Sequence, residues 1–196
     1  MIPARWLFEV LVSFVVILIF AVPMMVAWHE VAGHGLIGIL AGGTVTRLQV
    51  LGVQLWPELT WTGIGQGLTN LGVCDLRDFP TPTGQRLSDL AGSLSTWCVG
   101  FAACVILWLY QWRGWRRVLL VCLTFWCTDL LSFTLPSLGL RRGIVFGTSF
   151  SEPYEAATAL GIPGGVFQAL AIGTSLGILS ATVARLVTQR RNQRRG

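Results

Sequence analysis

The chain contains no lysine, only two histidines and no pair of cysteines at CxxC spacing, and charged residues fill just 12% of its 196 positions. Charge this sparse, with 53% hydrophobic residues and a mean hydropathy of +0.66, excludes an ordinary soluble domain and defines a polytopic membrane protein. All fourteen basic residues are arginine, which points to a GC-rich genome and to no particular mechanism. The cysteines supply no disulfide framework: Cys98, Cys104, Cys122 and Cys127 lie in apolar segments as small hydrophobes, and Cys74 stands alone in a polar loop. There is no internal repeat and no pairing of broken helices, which argues against a small transporter with an intramembrane metal or proton site. The net charge of +5 comes mostly from Arg185, Arg190, Arg191, Arg194 and Arg195. Beside a hydrophobic span this basic tail, 188–196, reads as an anchor against anionic lipid rather than a nucleic-acid surface, and no nucleic-acid partner is expected. The N-terminal apolar run is too long for a removable signal peptide and lacks a small-residue cleavage site.

Both histidines fall in one short stretch, His29-Glu30-Val31-Ala32-Gly33-His34, and the preceding residues from Leu11 to Trp28 carry no charge. An HE…H arrangement on a helix offers two neutral imidazoles to a metal, and the adjacent carboxylate can take a proton from water. A lone histidine near a membrane interface is usually just hydrogen-bonded to backbone or water. Two histidines and a glutamate in an uncharged stretch favour metal binding, because ionisable groups inside a bilayer are costly. The spacing is HExxGH rather than HExxH, and at ~100° per residue an i, i+5 pair lies roughly 140° apart around a regular helix. A local π-bulge within 29–35 would absorb the added residue, and Gly33 and Gly35 leave the backbone permissive there. The same spacing occurs in the soluble dipeptidyl peptidase III family, which this chain otherwise does not resemble.

Hydropathy gives four blocks, about 6–40, 87–112, 115–136 and 164–187; the last three each suit one crossing, and the first suits either one kinked helix with an extension or two short segments meeting near the motif, with Pro23 the expected bend. Arg113, Arg116, Arg117 and the tail mark one side as cytoplasmic. The expectation is an all-α polytopic membrane protein of about four transmembrane helices, with both termini inside and the 42–86 and 137–163 loops outside. Arg141 and Arg142 run against this bias. Trp6, Trp28, Trp56, Trp61, Trp112 and Trp115 suit an interfacial belt, and Glu9 suits a helix end facing headgroups or Arg5. Gly92, Ser93, Ser95 and Thr96 suit close helix contact, or a small-residue face that admits a substrate. Within 42–86, the run TVTRLQVLGVQLW from Thr44 to Trp56 predicts a small β-hairpin or short strands, either capping the bundle or holding an extended peptide by strand addition.

Four landmarks in order resemble the site-2 protease family of intramembrane zinc metalloproteases, in particular its compact bacterial members. HEVAGH continues as GLIGILAGGTVTRLQV, similar to the family's motif helix and Gly-Gly turn into a strand. LAGSLSTWCVGFAACVIL resembles its small-residue segment, FWCTDLLSF supplies an aspartate in a late helix, and SFSEPYEAATALGIP resembles the closing stretch of the compact subgroup. The chain departs from the family in the extra motif residue, in serine at the usual proline of the small-residue segment, in Glu152 where aspartate is usual, and in lacking NxxPxxxxDG.

The resemblance implies a single membrane-embedded metallopeptidase-like domain over 1–196, multi-pass in a bacterial inner membrane, with zinc as cofactor. Its partners would be the lipid bilayer and a transmembrane or membrane-associated protein substrate. Zinc held by His29 and His34 needs a third ligand, and the shortage of other histidines and of cysteine pairs leaves a carboxylate. Asp129 is the first candidate, being isolated in an apolar run and favoured by its family position; Glu152 is the second, with Glu155 beside it. Glu30 is the expected catalytic base. The rival reading is a non-catalytic scaffold or regulatory protein that keeps the protease fold, and the departures from the family pattern are its argument.

Overall fold

A computed structural model describes residues 15, 17–63, 71–140 and 151–193 of the chain. These are mainly helical, with one small antiparallel sheet. Arg5, Trp6, Glu9, Arg141, Arg142, Arg194 and Arg195 lie outside the described residues. A π-turn at Ile17–Ala21 leads into α1 (Val22–Trp28), with Pro23 in its first turn, then a second π segment at His29–Leu36 and α2 (Ile37–Leu40). The sheet follows with β1 (Thr44–Val50), β2 (Val53–Trp56), β3 (Thr60–Trp61) and β4 (Gly72–Arg77). The remaining helices are α3 (Pro82–Leu109), α4 (Gly114–Thr124), α5 (Cys127–Thr134), α6 (Glu152–Ala159) and α7 (Gly164–Gln193).

Three described segments are long and apolar enough to cross a membrane: Pro82–Leu109, Gly114–Leu138 and Gly164–Gln189. They match the last three hydropathy blocks, and they mark the chain as a membrane protein by length and composition. The first block, the expected fourth crossing, extends beyond the described residues. The start of α3 is set locally: Thr81 is extended, its hydroxyl accepts from the Gly84 N–H at 3.2 Å, and Pro82 occupies the first turn. Charge on this helix ends at Asp89, so Leu90 to Leu109 is an uncharged run of ~30 Å at 1.5 Å per residue, about one hydrocarbon thickness.

Helices meet through small residues. A Cβ on Gly33 would run into Gly92 Cα, and one on Gly100 would meet the Cys127 backbone at 2.8 Å, so these backbones are in direct contact. Leu130, Ala157, Phe167 and Ala171 form one core cluster; Cys104, Cys127 and Ile178 form another. All five cysteines are free. At the far end of α3 the Arg185 side chain donates to Leu107 O at 2.9 Å and Tyr110 O at 3.2 Å and lies over the Trp108 ring. Arg116 lies over Trp112 and Trp115 at the same end. Arginines and indoles therefore gather at the C-terminal end of α3.

The sheet packs at the other end. Its strand order is β3-β2-β1-β4, larger than the expected hairpin, and β4 comes from sequence that carried no strand expectation. Leu51 and Gly52, at φ 51° and 80°, make the two-residue turn that pairs Val50 with Val53. Since β1 pairs with β2 and β4, and β2 with β1 and β3, the Thr44–Trp56 strands are interior. The pairing of β1 with β2 covers only Leu48 to Val50, so Thr44 to Arg47 has no partner strand on that side among the described residues. The outer edges are β3 and β4, and β4 is the edge strand that lies beside the motif. Gly42, at φ 86°, turns the chain out of α2, and Gly43 N–H closes that turn on Gly38 O at 2.9 Å.

Candidate metal centre

The extra residue of HEVAGH is carried by the π segment His29–Leu36. In a π-helix the backbone bonds run five residues back, so residues five apart share a face, and His29 and His34 do so here. His29, Glu30, Gly33, His34 and Gly35 are all buried. The two imidazoles meet edge to face with centroids 4.7 Å apart, and their Nε2 atoms stand 3.0 Å from each other.

The outer nitrogen of each ring is held from behind. His34 Nδ1 donates to the Ser88 carbonyl at 2.8 Å, and the Ser88 hydroxyl donates back to His34 O at 3.0 Å. His29 Nδ1 bonds Asp129 Oδ2 at 2.6 Å, the Thr96 hydroxyl donates to the same oxygen at 2.8 Å, and Phe133 stacks on the ring. A carbonyl and a carboxylate accept from these rings, so each Nδ1 carries a proton and the two Nε2 atoms face each other over the remaining space. At 3.0 Å one proton shared between them, or a metal ion in its place, is what holds the two nitrogens together.

Glu152 supplies the negative partner. It is the first residue of α6, anchored by the Ser151 hydroxyl donating to Phe133 O at 2.6 Å and by the fully buried Pro153. Its Oε2 lies 3.7 Å from His34 Nε2, and one ligand atom from each of His29, His34 and Glu152 can lie within 4.8 Å of the others, close enough to hold one metal ion. Gly92 of α3 keeps this space open, since a Cβ there would fall on the Nε2 atoms of both histidines.

Asp129, the first candidate for third ligand, instead sits across the His29 ring on the Nδ1 side, and Glu152 holds the Nε2 side. The direction of α5 explains this: it presents Asp129 to His29 and Thr96, whose donors already offset the charge of a carboxylate in an apolar helix. In this position Asp129 orients the imidazole and raises its basicity. Asp129→Asn is expected to weaken metal affinity ~10–100-fold without removing a ligand, measured by competition with a chromogenic chelator. Unchanged affinity would leave Asp129 with no part in the centre. Ser88 and Phe133 had no site expectation attached to them, and Thr96 had one only as part of a small-residue face. Small polar residues in a helix and a lone aromatic are too common in membrane chains to signal one.

Glu30 is buried one residue from His29, with its side chain packed on Gly72 of β4, where a Cβ would overlap the carboxylate. Cys74, further along β4, has its thiol pushed up to about 12 by burial and then by the charges of Glu30, Asp75 and Glu152. It stays protonated at neutral pH and is no thiolate nucleophile. Beyond His34 and Glu152 a cavity of about 310 Å³ opens between β4 and the first turns of α3. No protein-family model matches the chain, and no curated protein or solved structure matches it significantly.

Proposed function

We propose that the protein is an intramembrane zinc metalloprotease of site-2 protease type, hydrolysing peptide bonds of membrane-associated proteins. The observation that carries this reading is the convergence of His29 and His34 Nε2 at 3.0 Å with Glu152 on the same side. A tetrahedral zinc with Zn–N of about 2.0–2.1 Å separates two nitrogen ligands by ~3.3 Å, so a small adjustment of either ring would suit the ion. Three protein ligands leave a fourth position open, as catalytic zinc requires. Bound zinc would supply Lewis acidity, bringing the pKa of water to about 7 and polarising a scissile carbonyl. Glu30, beside the ligand set and shielded by Gly72, would take the proton from the attacking water and deliver it to the leaving amine. The β4 edge would hold the substrate backbone extended, since a helical segment keeps its carbonyls in its own hydrogen bonds. With the arginine-rich end of α3 inside, the inner membrane of a bacterium would present the centre near its outer face.

The test is direct. Purified wild-type protein should hold zinc that is lost in His29→Ala, and metal-free wild type would favour the scaffold reading. Glu30→Gln should lower cleavage of a membrane-protein substrate by ~10²–10⁴-fold while zinc stays bound. Undiminished cleavage would remove Glu30 from the mechanism.

A further inference from the structure

We infer that the cavity beside the metal centre receives a lysine or arginine side chain next to the cleaved bond, an inference that takes the word substrate from the protease reading and its chemistry from the cavity walls. At about 310 Å³ the cavity is of a size that encloses one long side chain. One wall is β4 from Cys74 to Arg77, the other is Gln85, Ser88 and Asp89 of α3, and the inner end is His34 and Glu152.

Charge decides which side chain fits. The lining carries Asp75, Asp89 and Glu152 against the single guanidinium of Arg77. Glu152 is engaged at the histidines, which leaves two carboxylates and one cation in the wall itself, each carboxylate with an arginine partner outside it, Arg47 for Asp75 and Arg86 for Asp89. Arg77 is exposed and hydrated, as is Asp75, whose side chain is 52% exposed and 4.0 Å from Arg47. The Asp89 side chain is only 23% exposed, so its field is the least screened of the three. Its partner Arg86, 3.5 Å away and 44% exposed, is not part of the cavity wall and can swing into solvent when another cation takes its place. Leu76 and Phe79 give the apolar stem of a lysine a surface while the ammonium reaches Asp89.

Depth gives the same answer. Asp89 is the last charge before the uncharged run that starts at Leu90, so the cavity lies at the water-facing end of α3, outside the apolar core. The peptide entering it is therefore the polar flank of a membrane segment, where basic residues are at home, and not the segment's apolar middle.

The experiment uses the full-length Glu30→Gln protein in detergent micelles and a series of fluorescent extended peptides in which Lys, Leu or Glu is placed at each position in turn. Binding is read by anisotropy. One position should bind Lys ~10-fold tighter than Leu, with Glu weaker still. Asp89→Asn should abolish that preference, Asp75→Asn should reduce it less, and Asp89→Lys should turn it toward Glu, with metal content checking that each variant is folded. The inference is overturned if no position prefers Lys to Leu, or if the preference survives in folded Asp89→Asn. Lys-selective binding without cleavage by the wild type would keep the subsite and sink the protease reading. Cleavage without Lys selectivity would sink the subsite alone.

Discussion

Glu152→Ala is expected to release the metal almost completely, lowering affinity by more than the ~10–100-fold typical of residues that act from behind a ligand. The reason lies in the sides of the two histidine rings. Everything on the Nδ1 side holds orientation, and among the described acidic and sulfur side chains only Glu152 joins the two histidines in a ligand group. With Glu152 gone, two neutral imidazoles remain, and a divalent ion loses both a bond and the charge that offsets its own. The folded helices should persist, because α6 buries Pro153, Ala156 and Ala157, which the substitution leaves in place. Metal analysis of Glu152→Ala beside Asp129→Ala decides the roles. If Asp129→Ala loses the ion and Glu152→Ala keeps it, the aspartate is the direct ligand and the rings must turn relative to the geometry described here.

Gly92→Ala is expected to be as damaging, although it adds one methyl and removes nothing. That methyl would fall on both Nε2 atoms, the atoms that must face the ion, while the same backbone lies against Gly33. Either an imidazole swings away or α3 separates from the π segment, an overpacking that costs about 1–3 kcal/mol. Metal content should fall below detection with helical circular dichroism largely kept. Gly100→Ala is the control, since it crowds the Cys127 backbone at a different helix contact and should lower stability while leaving metal bound. Equal metal in Gly92→Ala and the wild type would mean that the open space beside Gly92 is not where the histidines converge on a cation.

These two positions also show how far the sequence could be read. The spans of α3, α4–α5 and α7 were legible because mean hydropathy over a bilayer length is a strong signal. HEVAGH was legible because two histidines and a glutamate have few other reasons to stand in an uncharged run. Asp129 was legible as a charge in need of a donor, but not its position relative to the ring, which depends on how α5 is set against Thr96 of α3. Glu152 was read as the lesser candidate because Ser-Glu-Pro resembles a solvated loop. In the fold the proline lies in the first turn of α6 and is fully buried, and the glutamate before it faces the histidines. Strand β4 gave little sign of itself, since GVCDLR alternates poorly and earns its place by pairing with β1 across an intervening segment.

The π segment has a consequence for how such a motif can change by small steps. Its eight residues run to Leu36 and lead through α2 into β1, with Gly33 already seated against α3. Because this segment takes up the added residue as a wider turn, deleting one residue would let 29–36 close as a regular α-helix while Gly38 kept its place against Leu76 and the sheet kept its aim. The change would be confined to the turn that carries His29, Glu30 and His34, so the spacing of the two histidines can lengthen or shorten by one residue without moving the fold around them.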